Sequence, residues 1–308
     1  MTFALELRRQ RPFRLRMALL PLAFLALAPL PLCGSAKAAE IEAAQAASIA
    51  KAHRIVAIGG SITEIVYALG AEDKLVARDT TSVYPPAVLT LPDVGYMRQL
   101  SPEGVLSVDP DAVLALDGSG PREAIDVLEK ASVPFLLVPE KFTRDGILEK
   151  IRLVGTAVGK KAAAEELATR IGAAIDSAGA GLPKTGRKRV LFVLSLQGGR
   201  VLASGSGTAA DGIIAMAGGV NAVSGYHGYK QLTDEAIIEA RPDVILMMDH
   251  AGPSPADDAI LAEPAIAATP AGKTKKLIRM DGAYLLGFGP RTAHAIRDLS
   301  AALYGKAG

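Results

Sequence analysis

The chain contains one short pattern twice, and the pattern constrains the fold more than any other feature. Gln99-Leu-Ser-Pro-Glu103 is followed after seven residues by Pro110-Asp111 and the apolar run Ala112-Val-Leu-Ala-Leu116. Gln231-Leu-Thr-Asp-Glu235 is followed at the same spacing by Pro242-Asp243 and Val244-Ile-Leu-Met-Met248. Each copy joins a hydroxyl residue, a glutamate two positions on, a short apolar stretch, Pro-Asp and a run suited to a buried strand. The copies lie 132 residues apart, about the length of a small domain. The chain therefore reads as two similar lobes, with a ligand cleft expected between them.

The N-terminal segment changes how the composition is read. Arg8, Arg9, Arg11, Arg14 and Arg16 precede an apolar stretch from Met17 to Leu32, broken by Pro21, Pro29 and Pro31, and Ala36-Lys37-Ala38 fits a small-residue cleavage rule. Residues 1–38 thus read as a secretory signal peptide, too short and too proline-broken for a good membrane span. Leu30-Pro31-Leu32 before Cys33 lacks the small residues that precede a lipidated cysteine, so ordinary export to the periplasm is expected. Cleavage removes six basic residues and Glu6, leaving 28 basic against 31 acidic residues, so the formal charge moves from +2 to −3. The only cysteine leaves too, which excludes a disulfide scaffold and thiolate metal sites. Without the basic leader, nothing in the charge balance points to nucleic acid.

Strand and helix patterns alternate along the remainder. Arg54 to Gly59, Leu75 to Ala77, Asp111 to Leu116 and Phe135 to Val138 read as strands of an N-terminal α/β lobe over residues 52–142. Within it, a helix from Ile62 to Leu69 is expected to have Ser61 as its N-cap, and a second helix spans Pro121 to Ala131. Residues 143–180 carry apolar positions at three- and four-residue steps, among them Ile147, Ile151, Val154, Val158, Leu167, Ile171 and Ile175. This predicts one long linking helix, weakened but not ended by Gly155 and Gly159. A C-terminal α/β lobe over 187–308 follows, with strands at Val190–Leu194, Val244–Met248 and Leu277–Met280 and helices at Thr208–Ala217 and Arg291–Leu303. The expected architecture is two Rossmann-like α/β lobes joined by a long backbone helix, with a largely preformed cleft between them.

Little in the sequence suggests catalysis. A Gly-x-Ser-x-Gly elbow is absent, and Gly205-Ser-Gly207 lacks the fuller dinucleotide fingerprint, so a tight turn at a helix start is expected there. After cleavage the histidines are His53, His227, His250 and His294, with none paired at metal-ligand spacing. Tyr84 lies in Thr80-Thr-Ser-Val-Tyr-Pro-Pro86, a loop stiffened by two prolines. Its ring either plugs a core or offers a phenolate to a hard ferric ion. Glu103 and Glu235 fall in the first turns of helices, where acids stabilise the N-terminus. Their recurrence also suits a two-fold symmetric partner with one cationic pocket for each.

Several further segments carry a family resemblance. Gly60-Ser-Ile-Thr-Glu-Ile65, Asp79-Thr-Thr-Ser-Val-Tyr-Pro85, Val94-Gly-Tyr-Met-Arg-Gln-Leu-Ser101, Ala217-Gly-Gly-Val-Asn-Ala222, Gly228-Tyr-Lys-Gln-Leu232 and Gly287-Phe-Gly-Pro-Arg291 together resemble the helix-spined periplasmic substrate-binding proteins of haem ABC importers, a group that also binds cobalamin and ferric siderophores. The resemblance implies a monomeric, non-enzymatic carrier of ferric haem, with Tyr84 as axial ligand of the iron. It implies that Arg98, Tyr229 and Arg291 line the cleft. It also implies that Glu103 and Glu235 dock on a dimeric inner-membrane permease with its ATPase. Some relatives stack a second haem on a histidine in the loop where this chain has Leu196-Gln-Gly-Gly199; Gln197 is a poor iron ligand. Cobalamin or a ferric siderophore on the same fold is the alternative.

Overall fold

The structure, a computed structural model, describes residues 33–249 and 256–305. Residues 1–32 of the signal segment and His250 lie outside the described residues. Helix α1, Cys33–Ile49, already begins within the expected signal and continues past it. Ala46 and Ile49 are buried, and α1 packs on the N-terminal lobe, so that lobe begins before residue 52.

Strands β1 (Ile55–Ile58), β2 (Leu75–Arg78), β3 (Ala112–Leu116) and β4 (Phe135–Val138) form a parallel sheet in the order β2-β1-β3-β4. Alternation along the strands divides the core into two layers. Ile55, Ala57, Leu114, Leu116 and Leu136 face the linking segment, whereas Val56, Ile58, Val113 and Ala115 face the other side. Helices α2 (Gly60–Ala68), α3 (Pro102–Leu106) and α4 (Arg122–Lys130) complete the lobe. Ser61 is not the N-cap of α2. Gly59 takes that place at φ 108°, where a Cβ would lie 2.7 Å from Leu116 Cβ.

The linking segment is helical but forms two helices, α5 (Arg144–Ala157) and α6 (Lys161–Gly179). Gly159, at φ 73°, stops α5, and the Lys160 N–H donates to Gly155 O over 2.7 Å, a left-handed helix end. The helices run antiparallel, as the ion pairs Arg152–Glu165 and Arg144–Asp176 require. Gly155 permits their close approach, since a Cβ there would lie 2.1 Å from Ala164 Cβ. Periodicity persisted across the break because both helices bury apolar stripes, and a glycine with positive φ is invisible to a hydrophobic count.

The C-terminal lobe comprises β5 (Arg189–Gln197), β6 (Arg200–Ser204), α7 (Ala209–Met216), β7 (Val220–Asn221), β8 (Tyr229–Gln231), α8 (Asp234–Ala240), β9 (Val244–Asp249), short helices α9 (Asp257–Leu261), α10 (Pro264–Ala267) and α11 (Pro270–Lys273), β10 (Leu277–Asp281), α12 (Gly282–Leu286) and α13 (Thr292–Tyr304). Its sheet runs β10-β9-β5-β6-β8. β10, β9 and β5 are parallel, whereas β6 and β8 are antiparallel additions. Gly198 and Gly199, both at positive φ, make the two-residue β5–β6 turn. One continuous buried cluster runs from β1 and β3 through α5 and α6 to β5, α7 and α13, so both lobes rest on a shared core.

The repeated phrase has a structural counterpart beyond the strands. Asp109 and Arg241 both adopt left-handed backbone, at φ 52° and 44°, immediately before Pro-Asp. The Asp111 carboxylate accepts from the His53 and Arg54 N–H groups, and the Asp243 carboxylate from the Arg189 N–H. The Arg54 side chain donates to Asp109 O and Val108 O, and that of Arg189 to Ala240 O and Ala222 O. Each lobe thus uses an aspartate to tie its central strand to the neighbouring one, and an arginine to hold chain carbonyls beside it.

Candidate functional site

The Tyr84 loop is built on Asp79, which is fully buried. One carboxylate oxygen of Asp79 accepts from the Gly59 N–H (2.9 Å) and the Ser82 hydroxyl (2.7 Å); the other accepts from the Thr81 N–H (2.9 Å) and hydroxyl (2.6 Å). Asp followed by Thr-Thr-Ser suits such a turn, because short hydroxyl side chains donate locally. Ser82 and Thr63 share a buried 2.7 Å hydrogen bond, fastening the loop to α2. On the other side, the Thr80 N–H donates to Gly95 O, and Thr80 Oγ1 donates to Asp93. The loop is thus held at both flanks, while the Tyr84 side carries 43% exposure. The core-plug reading of Tyr84 is therefore not what the structure shows.

Arg291 reaches Tyr84 from the C-terminal lobe. Its guanidinium carbon lies over the ring, 3.9 Å from the centroid. Its Nε and Nη2 donate to the two oxygens of Glu64 on α2, over 2.9 and 2.5 Å. This fork geometry is the strong form of an arginine–carboxylate contact. Glu64 is buried, with only 7% exposure. Burial pushes its carboxyl above the usual carboxylate range, an effect the hydrogen bonds and charge of Arg291 partly oppose.

Tyr229, on β8, is about one-third exposed. Burial raises its phenol pKa; the charge of Arg98 and hydrogen bonding with the Thr208 and Ser204 side chains act the other way. Arg98 is exposed and, among the described residues, is in no ion pair. Val83 and Tyr96 are also exposed, on the two adjoining N-terminal loops. Val83, Tyr84 and Tyr96 are thus exposed on adjoining loops, with Arg291 paired to Glu64 over the Tyr84 ring and Arg98 open.

The Gly207 N–H donates to Asp211 rather than to an external anion, so the Gly205-Ser-Gly207 turn is internally capped. His227 packs against Gly207, and Gln197 ends β5 at the hairpin turn. Among the described residues no cluster of three His, Cys, Asp or Glu side chains could hold a bare metal ion. No described helix is long and apolar enough to cross a membrane.

Glu103 and Glu235 occupy matching places at the starts of α3 and α8. Ser101 and Thr233 cap these helices, accepting from the Gly104 and Ala236 N–H groups. Both glutamates are exposed, and hydrogen bonds hold both carboxyls below the usual range. The Ser101 hydroxyl leads at Glu103; its own backbone leads at Glu235. Sequence reasoning missed Asp79, Glu64 and Lys150. Lys150 carried a visible signal: it stands on the apolar stripe of Ile147, Ile151 and Val154, where a lysine requires a buried partner.

A family described as periplasmic binding protein matches residues 55–284. Among solved structures, the periplasmic haem-binding protein BhuT in complex with two haems is 39% identical with a TM-score of 0.74, covering 81% of this chain and 97% of that one. Among curated sequences, an uncharacterized ABC transporter substrate-binding lipoprotein of Bacillus subtilis, YvrC, is 27% identical over 256 residues, 82% of this chain and 80% of its own length. The vitamin B12-binding protein of Yersinia pestis is 35% identical over 83 residues, 27% of this chain and 30% of its own length.

Proposed function

The chain belongs to the periplasmic binding protein family, and from that premise we propose that it binds ferric haem between its lobes and delivers it to an inner-membrane ABC permease. The observation that carries this reading is the exposed Tyr84 phenol, on a loop braced by Asp79, with a guanidinium over its ring. The haem-binding neighbour supports the ligand class.

Ferric iron is a hard acceptor, and tyrosinate is an established axial ligand of haem iron. The phenolate must form in a site that is partly dry. Arg291 contributes positive charge there, although Glu64 neutralises much of it at longer range. The remaining stabilisation of the phenolate comes from the ferric centre itself. Arg291 therefore acts mainly as a fixed, oriented group that keeps the ring in one pose, worth about 1 kcal/mol as a cation–π contact. Arg98, open and exposed, suits a propionate by charge-assisted hydrogen bonding. Val83, Tyr96 and Tyr229 supply apolar and aromatic surface for the porphyrin, whose burial releases roughly 25 cal/mol for each Å² removed from water. The exposed Glu103 and Glu235, one on each lobe, meet basic residues on the two halves of the permease dimer. No catalytic step is required of any residue.

The partial similarity to a vitamin B12-binding protein supports cobalamin as the rival ligand, with ferric siderophores as a further class. Titration of the exported protein with ferric haem and, separately, with cobalamin decides between them. Saturable haem binding with a ferric tyrosinate spectrum is expected; cobalamin binding without haem binding rejects the assignment.

A further inference from the structure

Among the described residues, Lys150 is one of the largest fully buried side chains, with 1% exposure. Its ammonium group lies where three parts of the chain meet. Nζ donates to both Glu140 oxygens (2.6 and 2.7 Å), after β4; to Ser61 Oγ (3.1 Å), in the first turn of α2; and to Phe288 O (3.1 Å), in the C-terminal lobe. An ammonium has three N–H donors, and here they meet three partner residues.

The Phe288 contact leads to the ligand surface. Phe288 adopts left-handed backbone at φ 45°, a conformation costly for an aromatic residue and kept only where the surroundings hold it. Two contacts do so: the Lys150 bond to its carbonyl, and an edge-to-face contact with Phe142 at 5.1 Å. Gly289 follows, packed within 3.4 Å of Ser61 Cβ as judged from the position of an added Cβ. Arg291 comes three residues after Phe288. The same short segment is therefore gripped once by Lys150 and once by Glu64.

We propose that Lys150 is a positioning residue for the ligand site: through the Phe288 carbonyl it holds the 287–291 segment so that Arg291 stays over Tyr84. The inference rests on the reading of Tyr84 as the haem ligand. A buried ion pair alone does not explain a lysine here, because apolar residues of similar volume often replace such pairs without loss. The third donor, spent on the other lobe, adds a geometric requirement that an apolar pair does not meet.

The test uses paired substitutions that leave no buried charge alone. Lys150→Met with Glu140→Gln removes the lysine and its counter-charge. Arg291→Met with Glu64→Gln does the same for the other pair. Each protein is loaded with ferric haem; the tyrosinate charge-transfer band and the rate of haem transfer to an excess of apomyoglobin are recorded. The account expects both double variants to shift the band in the same direction and to release haem roughly tenfold faster, and the quadruple variant to release it no faster than either. An unchanged band and rate in the Lys150/Glu140 variant, or effects that multiply in the quadruple variant, overturn the positioning role. Absence of a tyrosinate band in the wild type overturns the haem reading itself, and the positioning role with it. If the Gln-containing variant does not unfold cooperatively, Lys150→Met with Glu140→Leu carries the same readout.

Discussion

Arg291 and Tyr84 meet across the lobe junction, the guanidinium carbon 3.9 Å from the ring centroid, while Glu64 holds the other edge of the same guanidinium. One residue of the C-terminal lobe is thus bound to both the helix and the loop that shape the N-terminal side of the cleft. The arrangement ties the candidate site at Tyr84 to the relative position of the lobes.

Removing Arg291 alone leaves Glu64 buried without its partner. Arg291→Met is therefore expected to lower stability by about 3 kcal/mol, in the range for breaking a buried pair, whereas Arg291→Met with Glu64→Gln recovers most of the loss. Urea unfolding of the three proteins measures this. Equal stability of the single and double variants contradicts it.

The pair also has a pH signature. Burial, the leading cause, raises the Glu64 pKa. The native protein then retains this proton at pH values where the unfolded chain has released it. The resulting stabilisation is complete below the unfolded value, about 4.3, and disappears as the pH rises through the higher native value. The unfolding free energy of the wild type minus that of Glu64→Gln should fall as the pH rises from 4.3 towards neutrality. A difference that grows over that interval rules out the raised value.

Much of this fold was legible in the sequence because strands buried on both faces leave apolar runs and helix ends leave hydroxyls and glycines. The helix expected over Thr208–Ala217 is α7, Ala209–Met216, with Thr208 as its cap. The break at Gly159 was not legible, since the apolar stripes of α5 and α6 stay in step across it. Ser61 was misread as a cap because Gly59 has no side chain to signal its role. Tyr84 was singled out through the prolines that follow it and a family resemblance, and it stands exposed under Arg291. The Glu64–Arg291 pair was not legible, because its members stand 227 positions apart and only the folded lobes bring them together.

Close packing of α5 on α6 predicts a penalty at Gly155. An added methyl would meet Ala164 Cβ at 2.1 Å, so the helices must move apart. Overpacking costs roughly 1–3 kcal/mol, and the helix-propensity gain from Gly to Ala returns up to about 1 kcal/mol. Gly155→Ala should therefore lower Tm by several degrees, and Ala164→Gly in the same protein should suppress the effect. A Tm at or above the wild-type value in Gly155→Ala refutes the close approach.

The proposed docking through Glu103 and Glu235 predicts that transport and binding can be separated by substitution. Glu103→Lys and Glu235→Lys together should abolish haem uptake by cells or by permease-containing liposomes, with haem affinity changed less than twofold. Each single reversal should give a partial defect, since the other lobe keeps its contact. A loss of haem affinity instead places these side chains at the ligand.

The central claim is that Tyr84 ligates ferric iron. Purified wild type and Tyr84→Phe are titrated with ferric haem, with absorption and electron paramagnetic resonance spectra recorded at saturation. Phenylalanine keeps the ring under Arg291 and removes only the ligating oxygen. The account predicts a high-spin ferric tyrosinate spectrum in the wild type and its loss in Tyr84→Phe, with unchanged thermal unfolding of the unliganded protein. The same ferric spectrum in both proteins contradicts it.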